Sequence, residues 1–303
     1  MQILNFMHRS KALWALAAIS FFWGTTWFVS KLTVNAIPPL QMTGIRQTTA
    51  GFLLIVYFLI KNKKAPPIED LFYYLMLGFL LISCSNGLTT WAIKFIPSYL
   101  GALISSLMPF VMIVANFIFF KEKILPKTIL GLIIGFTGVT FLLSSFIEEM
   151  NDQHFAFGVL LTLIGVLTWT TGTLMTVRNK RKLDPFVGIG WQMFFGGLIL
   201  YLASWITGQQ VSLSTVPMAT WGWIAYLTSI GSIACFLCYL YALKHLPISL
   251  VSIYVYLNPL VALLLGILFL NEKLTWSIVM GAMLIFVGIY IVMKSRSVKK
   301  RLN

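Results

Sequence analysis

One stretch of this chain occurs twice, and the repetition limits what it can fold into. Residues 97–123 read PSYLGALISSLMPFVMIVANFIFFKEK, and residues 247–273 read PISLVSIYVYLNPLVALLLGILFLNEK. Each copy starts with proline, carries a second proline twelve residues on (Pro109, Pro259) and ends in Glu-Lys (Glu122-Lys123, Glu272-Lys273). About twenty mainly apolar residues lie between, enough to cross a bilayer at roughly 1.5 Å per residue. A proline inside a helix costs about 3 kcal/mol and frees a carbonyl. In a membrane that carbonyl needs a protein partner or a cavity. Paired breakers at matching depth point to a transporter's binding site, so Pro109 and Pro259 are expected to break their helices at mid-membrane.

The remainder of the 303 residues fits the same environment: 59% are hydrophobic and 10% charged, with mean hydropathy +0.89, where a soluble domain is about 25% charged. The expected fold is all-α and polytopic. Ten spans are placed near 12–34, 39–60, 70–93, 98–120, 127–145, 156–177, 186–206, 219–242, 247–270 and 276–293. Arg9 and Lys11 precede an apolar run reaching about Val34, too long for a signal-peptide core, so it is read as the first span. Cys84, Cys235 and Cys238 all lie in apolar segments. They read as packing residues, and no Cys/His spacing suggests a metal or cofactor.

The net charge of +14 reports topology and not nucleic acid. With the N-terminus inside, Lys94 and Lys273 fall in outside loops, Lys31 and Arg46 fall within spans, and the other 18 of 22 basic residues lie inside. The expected setting is an inner membrane with both termini cytoplasmic and a basic tail over 294–303. The partners are the lipid bilayer and a small-molecule substrate.

The two halves, 12–145 and 156–293, align. An offset of 146 pairs Trp23 with Trp169, Pro39 with Pro185, Gly44 with Gly190 and Gly51 with Gly197. An offset of 150 pairs Pro97 with Pro247, Pro109 with Pro259, Glu122 with Glu272, Gly131 with Gly281 and Gly138 with Gly288. Five spans per half is an odd number, so the second half enters from the opposite side. The result is two inverted five-helix repeats, the geometry of alternating access.

The mid-depth Trp of span one, the Pro-bounded fourth span ending Phe-Lys-Glu-Lys, the ninth ending Asn-Glu-Lys, and the pairs Gly131/Gly138 and Gly281/Gly288 resemble the tandem EamA repeats of the drug/metabolite transporter superfamily. The resemblance covers nearly the whole chain. It implies a ten-helix bundle with spans 1–4 and 6–9 around a central cavity and spans 5 and 10 at the periphery. It also implies movement of small metabolites, often amino acids, and it names no substrate.

Several residues could serve such a cavity. Trp23, Thr26, Trp27 and Ser30 share one face of span one, and Thr162, Gly165, Trp169, Gly172, Thr173 and Thr176 share one face of span six. The mid-depth tryptophans read either as an apolar, cation-attracting wall or as helix packing. Arg46 is the sharpest residue. Burying it costs about 3 kcal/mol by insertion scales, so it needs a partner. No acidic residue lies within a span, which leaves a ligand carboxylate or snorkelling to the headgroups. Gln192 is its repeat mate, and Lys31 is expected to snorkel. Asn86 and Thr90 in span three, Tyr239 in span eight, and Tyr254 and Asn258 in span nine complete the candidates. Gly131-x-x-x-Gly135 fits close helix packing within the chain or at a homodimer contact.

With no Asp, Glu or His in a span, the expectation is a facilitative exporter of amino acids or related carboxylate-bearing compounds. A proton-coupled drug/metabolite antiporter is the alternative. A carrier of phosphorylated metabolites fits less well, for want of basic groups in the cavity. An enzyme would need clustered acids, His or a metal, and a scaffold would not need inverted halves.

Overall fold

The structure, a computed structural model, describes residues 2–61, 64–179, 181, 183–251 and 253–302. Side chains are described over 9–295, apart from those gaps and from 248 and 249. Of the charges used above to orient the chain, those of Lys63, Lys180, Lys182, Arg296, Lys299, Lys300 and Arg301 lie outside the described residues.

Among the described residues the regular structure is helical. The segments are α1 (Gln2–Thr33), α2 (Pro39–Ile60), α3 (Ile68–Ala92), α4 (Ser98–Phe120), α5 (Pro126–Ser144), α6 (Gln153–Arg178), α7 (Pro185–Ile206), α8 (Met218–His245), α9 in two pieces (Ile248–Val251 and Tyr254–Leu270) and α10 (Trp276–Leu302). Nine described helices are long and apolar enough to cross a membrane, and Tyr254–Leu270 is apolar but shorter. The chain is thus a multi-pass, all-helical membrane protein.

Local chemistry sets the helix ends. Pro39, Pro126 and Pro185 take first-turn positions, where the missing N–H is no loss. The Asp184 carboxylate accepts from Phe186 N and Val187 N, and that of Asp152 accepts from His154 N. Lys121 and Asn271, repeat mates at offset 150, both end their helices at φ 53°, so the two Glu-Lys ends share one left-handed turn.

Contacts between connections sort the helix ends into two faces. On one face Arg178 pairs with Glu122 and Arg181 with Asp70, which brings together the start of α3, the end of α4 and the end of α6. The opposite face gathers the end of α1 with that of α3 through Lys31 and Ile93, and the start of α4 with the α9–α10 connection through Ser98 and Glu272. The 207–218 connection returns to the start of α2 through Gln41 and Val211. The first is called the basic face below, because it carries Lys61, Lys121, Lys123, Lys127 and Arg178. Lys31 does not snorkel: its Nζ donates to Ile93 O and Ile96 O at 2.6 and 2.9 Å.

Two glycine seams hold the halves together. Where α2 crosses α7, a Cβ on Gly51 would lie 2.6 Å from Gly190 O and 2.7 Å from Phe194 Cα, and one on Gly44 would lie 2.7 Å from Tyr201 N. These are the repeat-mate glycines, so equivalent helices meet each other, running antiparallel. The second seam joins α5 to α10. A Cβ on Gly131 would lie 2.8 Å from Gly288 O, and one on Gly138 2.8 Å from Gly281 O. Gly135 receives the Phe110 ring. The Gly131-x-x-x-Gly135 face is therefore used within the chain. Around this seam Tyr99, Leu103, Phe110, Leu142, Ile285 and Ile289 form the largest buried apolar cluster.

The proline helices depart from the symmetry their sequences share. In α4 the helix breaks at Ser106–Leu107 and Pro109 sits in the first turn of the following piece. In α9 the described helical pieces are Ile248–Val251 and Tyr254–Leu270, and Pro259 lies inside the second, which is continuous through it. Neither α3 nor α8 is uniform: Gly78–Gly87 and Leu227–Ala234 are wound as π-helix, at matching places in the two halves. Such wider turns occur mostly at functional sites.

Candidate functional site

A cavity of about 180 Å³ opens where these irregular helices meet. α1 contributes Trp23, Thr26 and Trp27, α2 contributes Arg46, and α3 contributes Ser85, Asn86 and Thr89. α4 adds Ala102, Ser105, Ser106 and Met108 around its break. Gly165, Val166 and Trp169 come from α6, Phe236 from α8, and Tyr254, Val255, Asn258 and Pro259 from α9. The lining thus draws on helices of both halves.

Arg46 is 3% exposed. Its Nε donates to Ser232 Oγ at 2.9 Å, and Ser232 belongs to the π-helical turn of α8. Among the described residues no carboxylate pairs with it. Gly231 makes the approach feasible: a Cβ there would stand 2.8 Å from Thr26 Cγ2 and 3.7 Å from Arg46 Nη2. Gln47, the next residue, is fully buried. Its Nε2 donates to Asn86 Oδ1 at 3.1 Å, while its own Oε1 has no partner. Asn86 lines the cavity, and this bond from Gln47 orients its amide.

Much of the remaining lining is aromatic. Trp23 stands 5.2 Å from Phe236, 5.4 Å from Tyr239 and 5.3 Å from Tyr254, centroid to centroid, and Trp169 is 6.5 Å from Phe236. Trp23 Nε1 donates to Gly231 O at 3.0 Å, which fixes the indole and satisfies a carbonyl of the π-helical turn. Tyr239 packs behind Trp23 and does not line the cavity. Asn258, with its amide turned to donate, reaches Ser20 O at 2.8 Å, Ile19 O at 3.2 Å and Tyr254 O at 3.3 Å. Its amide therefore fastens α9 to α1, with the oxygen left over. Thr26 Oγ1 donates back to Trp23 O at 2.6 Å.

Of the residues singled out in the sequence, Trp23, Thr26, Arg46, Asn86, Trp169, Tyr254, Asn258 and Pro259 come together here. Thr90, Thr173, Gln192 and Pro109 lie off the lining: Thr90 and Gln192 are buried between helices, and Thr173 and Pro109 are half-buried elsewhere. Sequence reasoning missed Ser85, Thr89, Ser105, Ser106 and Phe236 as cavity residues. Ser105 and Ser106 flank the α4 break, and their position three and four residues before Pro109 was the available signal. Among the described residues no group of three His, Cys, Asp or Glu could hold a metal. Chemically, the lining offers hydrogen-bonding groups, one fixed positive charge and ring faces, so a small ligand that joins an acidic group to an apolar or cationic part would be satisfied within it.

Comparison with known proteins gives one consistent answer. Residues 10–144 and 156–294 each match the EamA-like transporter family. The inner membrane transporter YedA of Escherichia coli (strain K12), itself uncharacterized, is 32% identical over 256 residues, covering 83% of this chain and 80% of YedA. Protein PecM of Dickeya dadantii (strain 3937) is 29% identical over 272 residues, covering 89% and 88%. The uncharacterized transporter YvbV of Bacillus subtilis (strain 168) is 26% identical over 296 residues, covering 94% and 92%. A protein of known crystal structure superposes with a TM-score of 0.67 at 17% identity, covering 94% of this chain and 97% of that one, a likeness of fold alone. With both halves matched, and the match spanning nearly its whole length, this chain belongs to the EamA-like transporter family.

Proposed function

We propose that this membrane transporter is a carrier of small carboxylate-bearing metabolites, amino acids foremost. It works by alternating access of two inverted five-span repeats in an inner membrane, with both termini cytoplasmic. The observation that carries the reading is Arg46: a buried guanidinium on the cavity wall with a serine hydroxyl and, among the described residues, no protein anion as its partner. A carboxylate entering the cavity supplies the missing charge and can be held by two parallel hydrogen bonds. The Asn86 amide adds a donor, and the rings of Trp23, Trp169 and Tyr254 receive the remainder of the molecule. The volume of about 180 Å³ falls below the roughly 300–1,000 Å³ of drug-sized sites, which favours a small metabolite over a drug. The described lining holds no Asp, Glu or His, which supports facilitated flux down the substrate's own gradient. Lys61, Lys121, Lys123 and Arg178 on one face support placing that face in the cytoplasm.

The test is counterflow in proteoliposomes loaded with mixed amino acids, read by mass spectrometry without an ion gradient. Selective, saturable exchange of a few compounds is expected. Arg46→Ala should raise the half-saturation concentration about 10- to 100-fold, the range for hydrogen bonds to a charged group, with Arg46→Lys in between. Unchanged flux in a folded Arg46→Ala protein would refute the role.

A further inference from the structure

The two Glu-Lys ends match in sequence and backbone, yet their carboxylates do different things. On the face opposite the basic one, Glu272 reaches across to the start of α4. Its Oε1 accepts from Ser98 N at 2.7 Å and its Oε2 from Ser98 Oγ at 3.1 Å. Tyr99 OH donates to Lys273 O at 3.0 Å, and Lys31, in the last turn of α1, adds attraction to Glu272. The start of α4 is accordingly buried from Ser98 through Ile104. On the basic face the repeat mate Glu122 instead accepts from Arg178 Nη2 at 2.8 Å, and Arg178 stands in the last turn of α6 as Lys31 does in α1. Glu122 is half exposed, at 52%.

The difference is written into one pair of residues. Gly266 and Asn116 are mates at offset 150, and in each half the Glu amide closes on that residue's carbonyl: Glu272 N on Gly266 O at 3.1 Å and Glu122 N on Asn116 O at 3.3 Å. Glu272 lies directly over Gly266, where a Cβ would collide with its Oε2. The Asn116 side chain fills the equivalent place, bonding Met112 O at 2.8 Å and Arg178 at 2.9 Å.

We infer that Glu272 is the latch of the face opposite the basic one. It holds that face shut while bonded to Ser98, and it exchanges Ser98 for Lys31 when the face opens. Glu122 is then already in the released arrangement, paired to its own basic residue. In the other state of the cycle the halves trade roles: Glu272 pairs with Lys31, and Glu122 closes on the start of α9. Gly266 biases the resting protein toward the arrangement seen. The inference rests on the alternating-access reading above, but its test needs no substrate.

The reporter is Ser105→Cys, on the cavity wall, in a chain whose three cysteines are replaced. A membrane-impermeant maleimide is added from the Glu272 side of oriented vesicles. Glu272→Ala should speed labelling about tenfold or more, the factor carried by loss of charge-assisted hydrogen bonds. Gly266→Ala should do the same without touching a charge, because the added methyl expels the carboxylate. Should Glu272→Ala fail to fold, Glu272→Gln and Ser98→Ala each still require a smaller rise. Unchanged labelling in folded Glu272→Ala and Gly266→Ala proteins overturns the latch. Labelling that responds as expected while no amino acid is exchanged leaves the latch standing and removes the substrate assignment.

Discussion

Gly51→Ala is a one-methyl change whose effect follows from the α2–α7 crossing. The added Cβ would stand 2.6 Å from Gly190 O and 2.7 Å from Phe194 Cα. Both are backbone atoms, which cannot rotate aside. To regain 3.4 Å from Gly190 O the helices must part by roughly 0.8 Å, and the still closer approach to Phe194 N demands more; overpacking of this kind costs about 1–3 kcal/mol. Alanine returns up to about 1 kcal/mol through its helix propensity, leaving a net loss of about 1–2 kcal/mol. Gly197→Ala meets the same helix from the other side, 2.6 Å from Thr48 Oγ1 and 2.8 Å from Gln47 C, and should cost as much. One separation relieves both clashes, so the double variant should fall short of the sum by about 0.5 kcal/mol or more. The assay is reversible denaturant unfolding in detergent micelles. Gly222→Ala, with nothing within 4 Å of its Cβ, serves as the neutral comparison. If Gly51→Ala matched Gly222→Ala, or if the two costs added strictly, the close crossing would not exist as described. Because Arg46 and Gln47 ride on α2, the same variants should also weaken transport.

Three further perturbations have defined outcomes. Ser232→Ala removes the described acceptor of Arg46 Nε and frees the guanidinium to shift; substrate half-saturation should change several-fold with little loss of stability, read by counterflow beside thermal unfolding. Asn258→Ala cuts the tie from α9 to Ser20 O and should cost about 0.5–1.5 kcal/mol, the net value of a lost hydrogen bond, whereas Asn258→Gln should not restore the fit. Burial holds the Glu272 carboxyl above its ordinary 4.5, against opposing bonds from Ser98 and attraction from Lys31. A raised folded value means that the stability this group contributes is full below pH 4.5 and is lost as pH rises through the raised value. Thermal unfolding across pH 4–7 should show that decline in the native protein and a flatter curve in Glu272→Gln.

Much of the fold was legible because helix spacing and glycine pairing are local properties repeated in both halves. Offsets 146 and 150 mark Gly51 and Gly197, and Gly131 and Gly281, as repeat mates; that the mate helices pack on each other is a finding of the structure. Arg46 stood out because charge in a span is rare. The misplaced site residues share a physical cause. Asn86 and Thr90 were put on one face by α-helical spacing, but Gly78–Gly87 is π-wound, which rotates the register, and Thr89 takes the place assigned to Thr90. Gln192 was chosen as the mate of Arg46, yet its helix is turned so that it packs against Gly78. Pro109 and Pro259 occupy equivalent sequence positions, but α4 breaks just before its proline while the α9 helix runs on through its own. Only the tertiary neighbours decide where a weakened helix gives way.

The seam between α5 and α10 joins the final helix of each half, and neither helix supplies a residue to the cavity. Backbone-to-backbone approach at Gly131–Gly288 and Gly138–Gly281 makes that contact narrow and stiff. The seam therefore divides labour within the bundle. It shares the task of fixing the spacing of the halves with the α2–α7 crossing, but unlike that crossing it lies wholly away from the cavity. Sequence drift should be slowest for size along this edge and slowest for polarity around the cavity.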